Sequence, residues 1–100
     1  MITISVCMIV KDEEMVLERA LKSVERIADE IIIVDTGSTD RTKKIALKYT
    51  DKVYDFVWCD DFAKARNYSF SKATMDYCMW LDADDIISDS DQEGLINLKK

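Results

Sequence analysis

The densest group of potential ligands in this sequence is a run of carboxylates that follows an apolar segment. Asp82, Asp84 and Asp85 come directly after residues 77–81. Two like charges about 4 Å apart repel by about 4 kcal/mol at an effective dielectric constant of about 20, and a divalent cation between them offsets that repulsion. Hard oxygen ligands suit Mg²⁺ or Mn²⁺, and alternate residues of an extended segment point the same way, so Asp82 and Asp84 are the predicted ligand pair. The alternative is a set of ordinary loop and capping carboxylates.

A second candidate site follows the apolar segment 31–34, where the sequence reads Asp-Thr-Gly-Ser. Gly37 permits a positive φ or the close approach of a ligand. A helix that starts at Ser38 would offer free backbone N–H groups. Asp35, at the strand tip, is placed to accept hydrogen bonds from a base or a ribose. The alternative is a simple turn in which Ser38 only caps the helix.

Arg66 is the basic residue best placed to accompany these carboxylates. It lies four residues from both Phe62 and Phe70, so it borders the apolar face of a predicted helix. It could reach a phosphate or hold the acidic loops, and a structural ion pair is the alternative. Trp58 and Trp80 are predicted to be core residues rather than ligand platforms.

Four short apolar segments, at 4–10, 31–34, 53–58 and 77–81, are the predicted strands that position these residues. The first, second and fourth are nearly continuous in apolar character, as in strands buried on both faces. The third contains Asp55 and is expected towards an edge. Helical spacing fills the intervals and the C-terminal residues, and connections of this length allow right-handed crossovers. The sequence therefore predicts an α/β fold, a Rossmann-like three-layer parallel sheet of about four strands with flanking helices.

The carboxyl ends of such strands are where ligands bind, and acidic residues gather there in this sequence. Asp12 is predicted to cap the first helix, with Glu13 and Glu14 in its first turn. Ser38 or Thr39 is predicted to cap the second helix.

The composition fits one small globular domain, with 100 residues, 48% of them hydrophobic and 34% charged. Its net charge of −6 argues against nucleic-acid binding through a basic face. Histidine is absent, which excludes a histidine base or metal ligand. The three cysteines lack CxxC spacing and are predicted to be buried or half-buried reduced thiols. No apolar run approaches the roughly 20 residues of a transmembrane segment.

Four segments together resemble glycosyltransferase family 2, and more narrowly its branch that includes lipopolysaccharide-core β-glucosyltransferases. They follow the family's order and cover residues 6–14, 33–40, 61–67 and 80–85. The resemblance implies the N-terminal half of a GT-A fold that holds a nucleotide-diphosphate sugar, usually a UDP-sugar, with Mg²⁺ or Mn²⁺. It implies a saccharide or lipid-linked acceptor, and a location in the cytoplasm or peripherally at the inner face of the membrane.

The resemblance also implies roles for individual residues. Asp84 would be the main metal ligand, Asp82 would contact the ribose, the donor sugar or the metal, and Arg66 would lie near the diphosphate. Many members have a second Asp where this chain has Thr36, which leaves Asp35 as the sole carboxylate on that turn. The residues expected around the nucleotide are Lys11, Asp12, Glu13, Asp35, Gly37, Ser38, Arg66 and Asp82.

No catalytic residue is assigned within this sequence. In an inverting transferase a carboxylate deprotonates the acceptor hydroxyl as it attacks the anomeric carbon. In the family that base lies well beyond the Asp-x-Asp motif, and only fifteen residues follow Asp85 here. Residues 1–100 are therefore expected to be the nucleotide-sugar-binding N-terminal part of a glycosyltransferase domain, without the acceptor half.

Other classes fit less well. A nucleotidyltransferase would show a glycine-rich basic loop after the first strand, where this chain has Lys-Asp-Glu-Glu. A receiver-like signalling domain would need a fifth strand and paired acids after the first. A nucleotide- and Mg²⁺-binding or self-associating module without catalytic activity stays open, and an exposed sheet edge would favour a homo-oligomer.

Overall fold

The structure, a computed structural model, describes residues 2–57, 62–82 and 93–97. Within these residues strands and helices alternate along the chain. The strands are β1 (Ile4–Val10), β2 (Glu30–Asp35), β3 (Val53–Asp55) and β4 (Tyr77–Trp80). The helices are α1 (Leu17–Val24), α2 (Thr42–Leu47) and α3 (Phe62–Ser71), and a short helical segment covers 93–97.

The strands form one parallel sheet in the order β3-β2-β1-β4. Successive strands from β1 to β3 move outwards on one side, and β4 returns to the other side of β1. The direction of winding therefore changes between β1 and β4, and a crevice for ligands is expected at the carboxyl ends of these two strands. The predicted α/β class with a parallel four-stranded sheet is confirmed.

The core lies between the central strands and α1. Apolar residues of α1 recur at three- and four-residue steps, so they form one stripe that packs on β1 and β2. The spacing predicts a stripe of Leu17, Ala20, Leu21, Val24, Ile27 and Ala28. The first four, which lie in α1, and Ile27 just beyond it are fully buried, whereas Ala28 is half-buried. Met8 and Ile33 are among the fully buried side chains of the strands.

The prediction for the fourth apolar segment is wrong in one respect, because β4 is an edge strand within the described residues. Tyr77 is 60% exposed, and Cys78 is an exposed free thiol rather than a buried one. An apolar sequence alone does not say whether a neighbour covers it. The third segment lies at the other edge, as expected, and its strand is shorter than predicted.

The predicted helix caps are also wrong. Helix α1 begins at Leu17, after a turn in which the Leu17 N–H donates to the Glu13 carbonyl at 2.9 Å. Asp12 lies before that turn in the left-handed region, with φ 51°, so Glu13 and Glu14 precede the helix. Helix α2 begins at Thr42, whose N–H donates to Asp40 Oδ1 at 2.9 Å. Asp12, Ser38 and Thr39, which were expected to cap these helices, instead form hydrogen bonds between the loop after β1 and the loop after β2. Among the described residues, no helix has the length and apolar character needed to cross a membrane.

Candidate functional site

The loops that follow β1 and β2 are joined by reciprocal hydrogen bonds. The Asp12 N–H donates to Ser38 Oγ at 2.9 Å, and the Thr39 N–H donates to Asp12 Oδ1 at 2.7 Å. Asp12 and Ser38 were predicted to bind a nucleotide, and the structure gives both a second role in holding the loops together. This pairing explains why Asp12 adopts a left-handed conformation, which Asp tolerates better than most residues.

A second pair of contacts extends the same junction. The Glu13 N–H donates to Thr42 Oγ1 at 2.7 Å, and the Glu14 N–H donates to Asp40 Oδ2 at 3.3 Å. Asp40 also accepts from the Thr42 hydroxyl, and these bonds hold the pKa of Asp40 below its usual range. Sequence reasoning missed Thr42 and Asp40, because their partners lie more than twenty-five residues away, and only the Asp-x-Thr spacing hinted at a cap.

Asp35 lies at the carboxyl end of β2 and is only 3% exposed. Its Oδ1 accepts from the N–H groups of Gly37 at 2.8 Å and Ser38 at 2.7 Å. Its Oδ2 is buried and has no hydrogen-bond partner among the described residues. A buried polar atom without a partner is costly, so a ligand N–H that reached Oδ2 would be favoured.

An open cavity of about 320 Å³ adjoins this carboxylate. Its lining residues are Asp35, Thr36, Gly37, Asp55, Phe56 and Val57. The Phe56 ring packs on Tyr68 of α3, with 5.0 Å between ring centroids, and Val57 is 88% exposed. The Asp55 carboxylate pairs with Lys43 at 2.8 Å on the rim. A buried acceptor beside an apolar wall suits a flat ring that carries an N–H donor.

The side chain of Thr36 is engaged within the fold by a hydrogen bond to β1. Its hydroxyl donates to the Val10 carbonyl at 3.3 Å, and its N–H donates to the same oxygen at 3.1 Å. Thr36 therefore ties the end of β2 to the end of β1. Asp35 is therefore the sole carboxylate of the turn formed by residues 35–38, as the sequence indicated.

Gly37→Ala is expected to lower the free energy of unfolding by about 1–2 kcal/mol, because Gly37 has a φ of 111° that side chains disfavour. Steric overlap does not contribute, since a Cβ at Gly37 would meet no atom within 4 Å. Gly94→Ala is the matched control, because Gly94 also has open space but lies in the helical segment 93–97. Chemical denaturation should show loss of stability in the first variant and no loss in the second. Equal effects would contradict the role given to the φ of Gly37.

Arg66 and Asp82 both contact the indole of Trp80, at the carboxyl end of β4. The Trp80 Nε1–H donates to Asp82 Oδ1 at 3.1 Å, and the Arg66 guanidinium carbon lies 5.2 Å from the centroid of the Trp80 ring. Arg66 and Asp82 are both exposed, and Trp80 is half-buried. The prediction that Trp80 is a core residue is therefore wrong, because this ring supports two charged side chains.

The predicted site residues thus fall into two groups at one edge of the sheet. Asp12, Asp35, Gly37 and Ser38 form a connected group after β1 and β2, and Lys11 is exposed beside it. Arg66 and Asp82 form the second group, after the neighbouring strand β4. Glu13 contributes its backbone N–H to the loop junction.

Of the predicted metal ligands Asp82 and Asp84, the structure describes only Asp82. Asp84 lies outside the described residues, and within the described ranges no three His, Cys, Asp or Glu side chains gather in a way that could hold a metal ion. Asp82 retains unused carboxylate lone pairs beside its bond from Trp80, since a carboxylate offers about four acceptor positions. The Asp82 carboxylate therefore fits a hard divalent cation as one ligand.

This topology, with ligand-type groups at the carboxyl ends of β1, β2 and β4, defines a Rossmann-like α/β domain, and solved structures identify it as the GT-A type. Residues 1–349 of Staphylococcus aureus TarS match with a TM-score of 0.80 and 26% identity, over 96% of this chain and 31% of that one. Glucosyl-3-phosphoglycerate synthase of Mycobacterium tuberculosis, solved with Mn²⁺ and UDP-glucose, matches with a TM-score of 0.72 and 26% identity, over 85% of this chain and 34% of that one.

The sequence model of glycosyl transferase family 2 matches residues 5–99, and the chain belongs to this family. An uncharacterized glycosyltransferase of Rickettsia typhi is 36% identical over 92% of this chain. A TPR repeat-containing protein of Synechococcus elongatus is 47% identical over 85% of it. The chain spans 31% of the first relative and 21% of the second. The resemblance to glycosyltransferase family 2 is confirmed.

Proposed function

We propose that this chain binds the nucleoside diphosphate of a UDP-sugar at the carboxyl ends of β1, β2 and β4, and that it provides the donor half of an inverting glycosyl transfer. The observation that carries the proposal is the buried Asp35 Oδ2, which has no hydrogen-bond donor within the described part of the chain, on a residue that lines an open cavity. In UDP the uracil ring carries one N–H, at N3, between two carbonyl groups, because N1 is bonded to the ribose. That N–H would complete the hydrogen bonding of Asp35, while Phe56 and Val57 flank the ring.

The two charged groups on Trp80 are assigned to the diphosphate. Arg66 would neutralise part of its negative charge, and Asp82, with Asp84, would hold Mg²⁺ or Mn²⁺. When bound, the cation supplies electrostatic stabilisation of the leaving diphosphate. The synthase of M. tuberculosis that resembles this chain has been solved with Mg²⁺ and UDP, which supports the assignment.

Acceptor activation is assigned to groups outside these 100 residues. The proposed acceptor is a saccharide or a lipid-linked saccharide of the cell envelope, and the proposed location is the cytoplasm or the inner face of the membrane. Residues 1–100 would orient the donor so that its anomeric carbon faces a carboxylate base elsewhere in the full protein. The base would take the acceptor proton while the nucleoside diphosphate leaves from the opposite face.

Calorimetry with UDP, GDP and ADP, with and without Mn²⁺, tests the proposal. We expect UDP to bind best, and Mn²⁺ to tighten UDP binding by about tenfold or more in the wild type but not in Asp84→Ala. Asp51→Ala is the matched control. The exposed Asp51 precedes β3, so it lies at the amino ends of the parallel strands, away from the proposed site at their carboxyl ends.

Equal binding of the three nucleotides would contradict the uracil site. The absence of nucleotide binding to the folded protein would favour the second candidate, a self-associating module. The exposed edge strand β4, with Tyr77 on it, is the feature that supports this second candidate.

A further inference from the structure

Trp80 is the last residue of β4 and contacts both charged side chains of the second group. Its ring also packs edge-on against Phe70 of α3, with centroids 5.8 Å apart at an interplanar angle of 75°. The Arg66 guanidinium carbon lies 5.7 Å from the Phe70 centroid. Arg66 is therefore placed between two rings that pack on each other.

The indole N–H acts on Asp82 through a charge-assisted hydrogen bond. Such bonds are about twice as strong as neutral ones, and the indole is a donor only. An exposed Asp side chain otherwise samples several rotamers, at a cost in entropy when a ligand fixes one of them. The bond from Trp80 restricts Asp82 in advance, while the remaining lone pairs of its carboxylate stay available.

The faces of the rings act on Arg66 in a different way. A cation–π contact uses the charge of the guanidinium and leaves its N–H donors available for hydrogen bonds. The Arg66 side chain is exposed, and its contacts with the Trp80 and Phe70 rings restrict it. One rigid ring thus restricts both an acidic and a basic group.

We propose that Trp80 is a positioning residue of the donor site, which orients Asp82 for the cation through its indole N–H and Arg66 for the diphosphate through its ring. This inference rests on the proposed function and adds a residue that contacts neither ligand. A purely structural Trp80 would affect stability and would leave the balance between metal-dependent and metal-free binding unchanged.

Two variants separate the two contacts. Trp80→Phe keeps an aromatic ring for Arg66 and Phe70 and removes the N–H that Asp82 accepts. Phe70→Leu keeps the indole N–H and removes one of the two rings beside Arg66. We expect Trp80→Phe to lose about tenfold of the Mn²⁺-dependent gain in UDP affinity, with metal-free UDP affinity within about twofold of the wild type. We expect Phe70→Leu to keep the Mn²⁺-dependent gain and to weaken metal-free binding.

A ligand-free measurement covers the case in which a variant fails to fold. In ¹H–¹⁵N spectra of the full chain, the Trp80 indole signal should shift when Asp82 is changed to Asn, and the Arg66 Nε–H signal should show a ring-current shift. An indole signal that is unaffected by Asp82→Asn overturns the proposal. Full Mn²⁺-dependent gain in Trp80→Phe also overturns it and leaves the proposed function intact, whereas a wild type that binds no UDP overturns both.

Discussion

Asp35→Asn is expected to weaken UDP binding by about 30- to 100-fold, which corresponds to a loss of about 2–3 kcal/mol. The Asn carbonyl can still accept from the N–H groups of Gly37 and Ser38, so the turn after β2 should persist. The amide NH₂ would replace Oδ2 and place a donor against the N3–H of uracil. Two opposed donors cost more than a missing bond, because neither finds an acceptor.

The same substitution should change which base is preferred. Cytosine has an acceptor at N3, which faces the Asp35 carboxylate unfavourably but accepts from the NH₂ group of Asp35→Asn, so CDP is expected to gain affinity where UDP loses it. Calorimetric titration of UDP and CDP into the wild type and the variant measures this. Asp55→Asn is the control, since Asp55 lies on the rim of the same cavity and pairs with Lys43. A variant that binds UDP as the wild type does would refute the role of Asp35.

Glu30→Gln is expected to have the largest effect on stability, a loss of about 3 kcal/mol in the free energy of unfolding. The Glu30 side chain is 1% exposed and accepts from Ser5 Oγ at 2.8 Å, from the Thr74 N–H at 2.8 Å and from Thr74 Oγ1 at 2.7 Å. Lys52 Nζ completes the set as an ion pair. One carboxylate thus joins β1, β2 and the residues before β3 and β4, and an amide cannot satisfy all four donors.

The pH dependence of stability follows from the same contacts. Burial by itself would raise the pKa of Glu30, but the hydrogen bonds from Lys52, Thr74 and Ser5 outweigh it and lower the pKa from 4.5 to about 2. Because the folded-state pKa is the lower one, the stabilisation is present in full above about pH 4.5 and is lost as the pH falls towards 2. A shift of this size corresponds to about 3 kcal/mol.

Urea denaturation between pH 7 and pH 3 tests this point. The wild type should lose stability through the range below pH 4.5, and Glu30→Gln should show a much smaller slope there. Glu25→Gln, at an exposed acid directly after α1, is the control and should keep the slope of the wild type. Identical slopes in all three proteins would show that Glu30 does not carry the effect.

Local patterns in the sequence were enough to predict the main elements. Strand β1 was predicted with its observed bounds, and the buried stripe of α1 follows from its spacing. Acidic residues after the strands marked the edge of the sheet where Asp35 and Asp82 lie. These inferences succeed because strand burial and helix periodicity depend on neighbours in the sequence.

Features that depend on distant partners could not be predicted in this way. Asp12 has the residue type of a helix cap, but Ser38 and Thr39 on another loop take its hydrogen bonds. Glu30 is an ordinary acid beside a strand until Ser5 and Thr74 surround it. The unpartnered oxygen of Asp35 is likewise a property of packing, because the sequence shows the carboxylate and not which of its oxygens is used.

The order β3-β2-β1-β4 also has a consequence for the sequence of events in folding. Strand β1 pairs with β2 across about 25 residues, as between Ser5 and Glu30, but with β4 across more than 70, as between Ile4 and Tyr77. Closing a longer loop costs more entropy, and distant pairings slow folding. During synthesis the β1-β2-β3 part can assemble while β4 is still within the ribosome. Strand β1 therefore gains β4 as its second neighbour only after it has paired with β2, and until then its open edge can pair with other polypeptides.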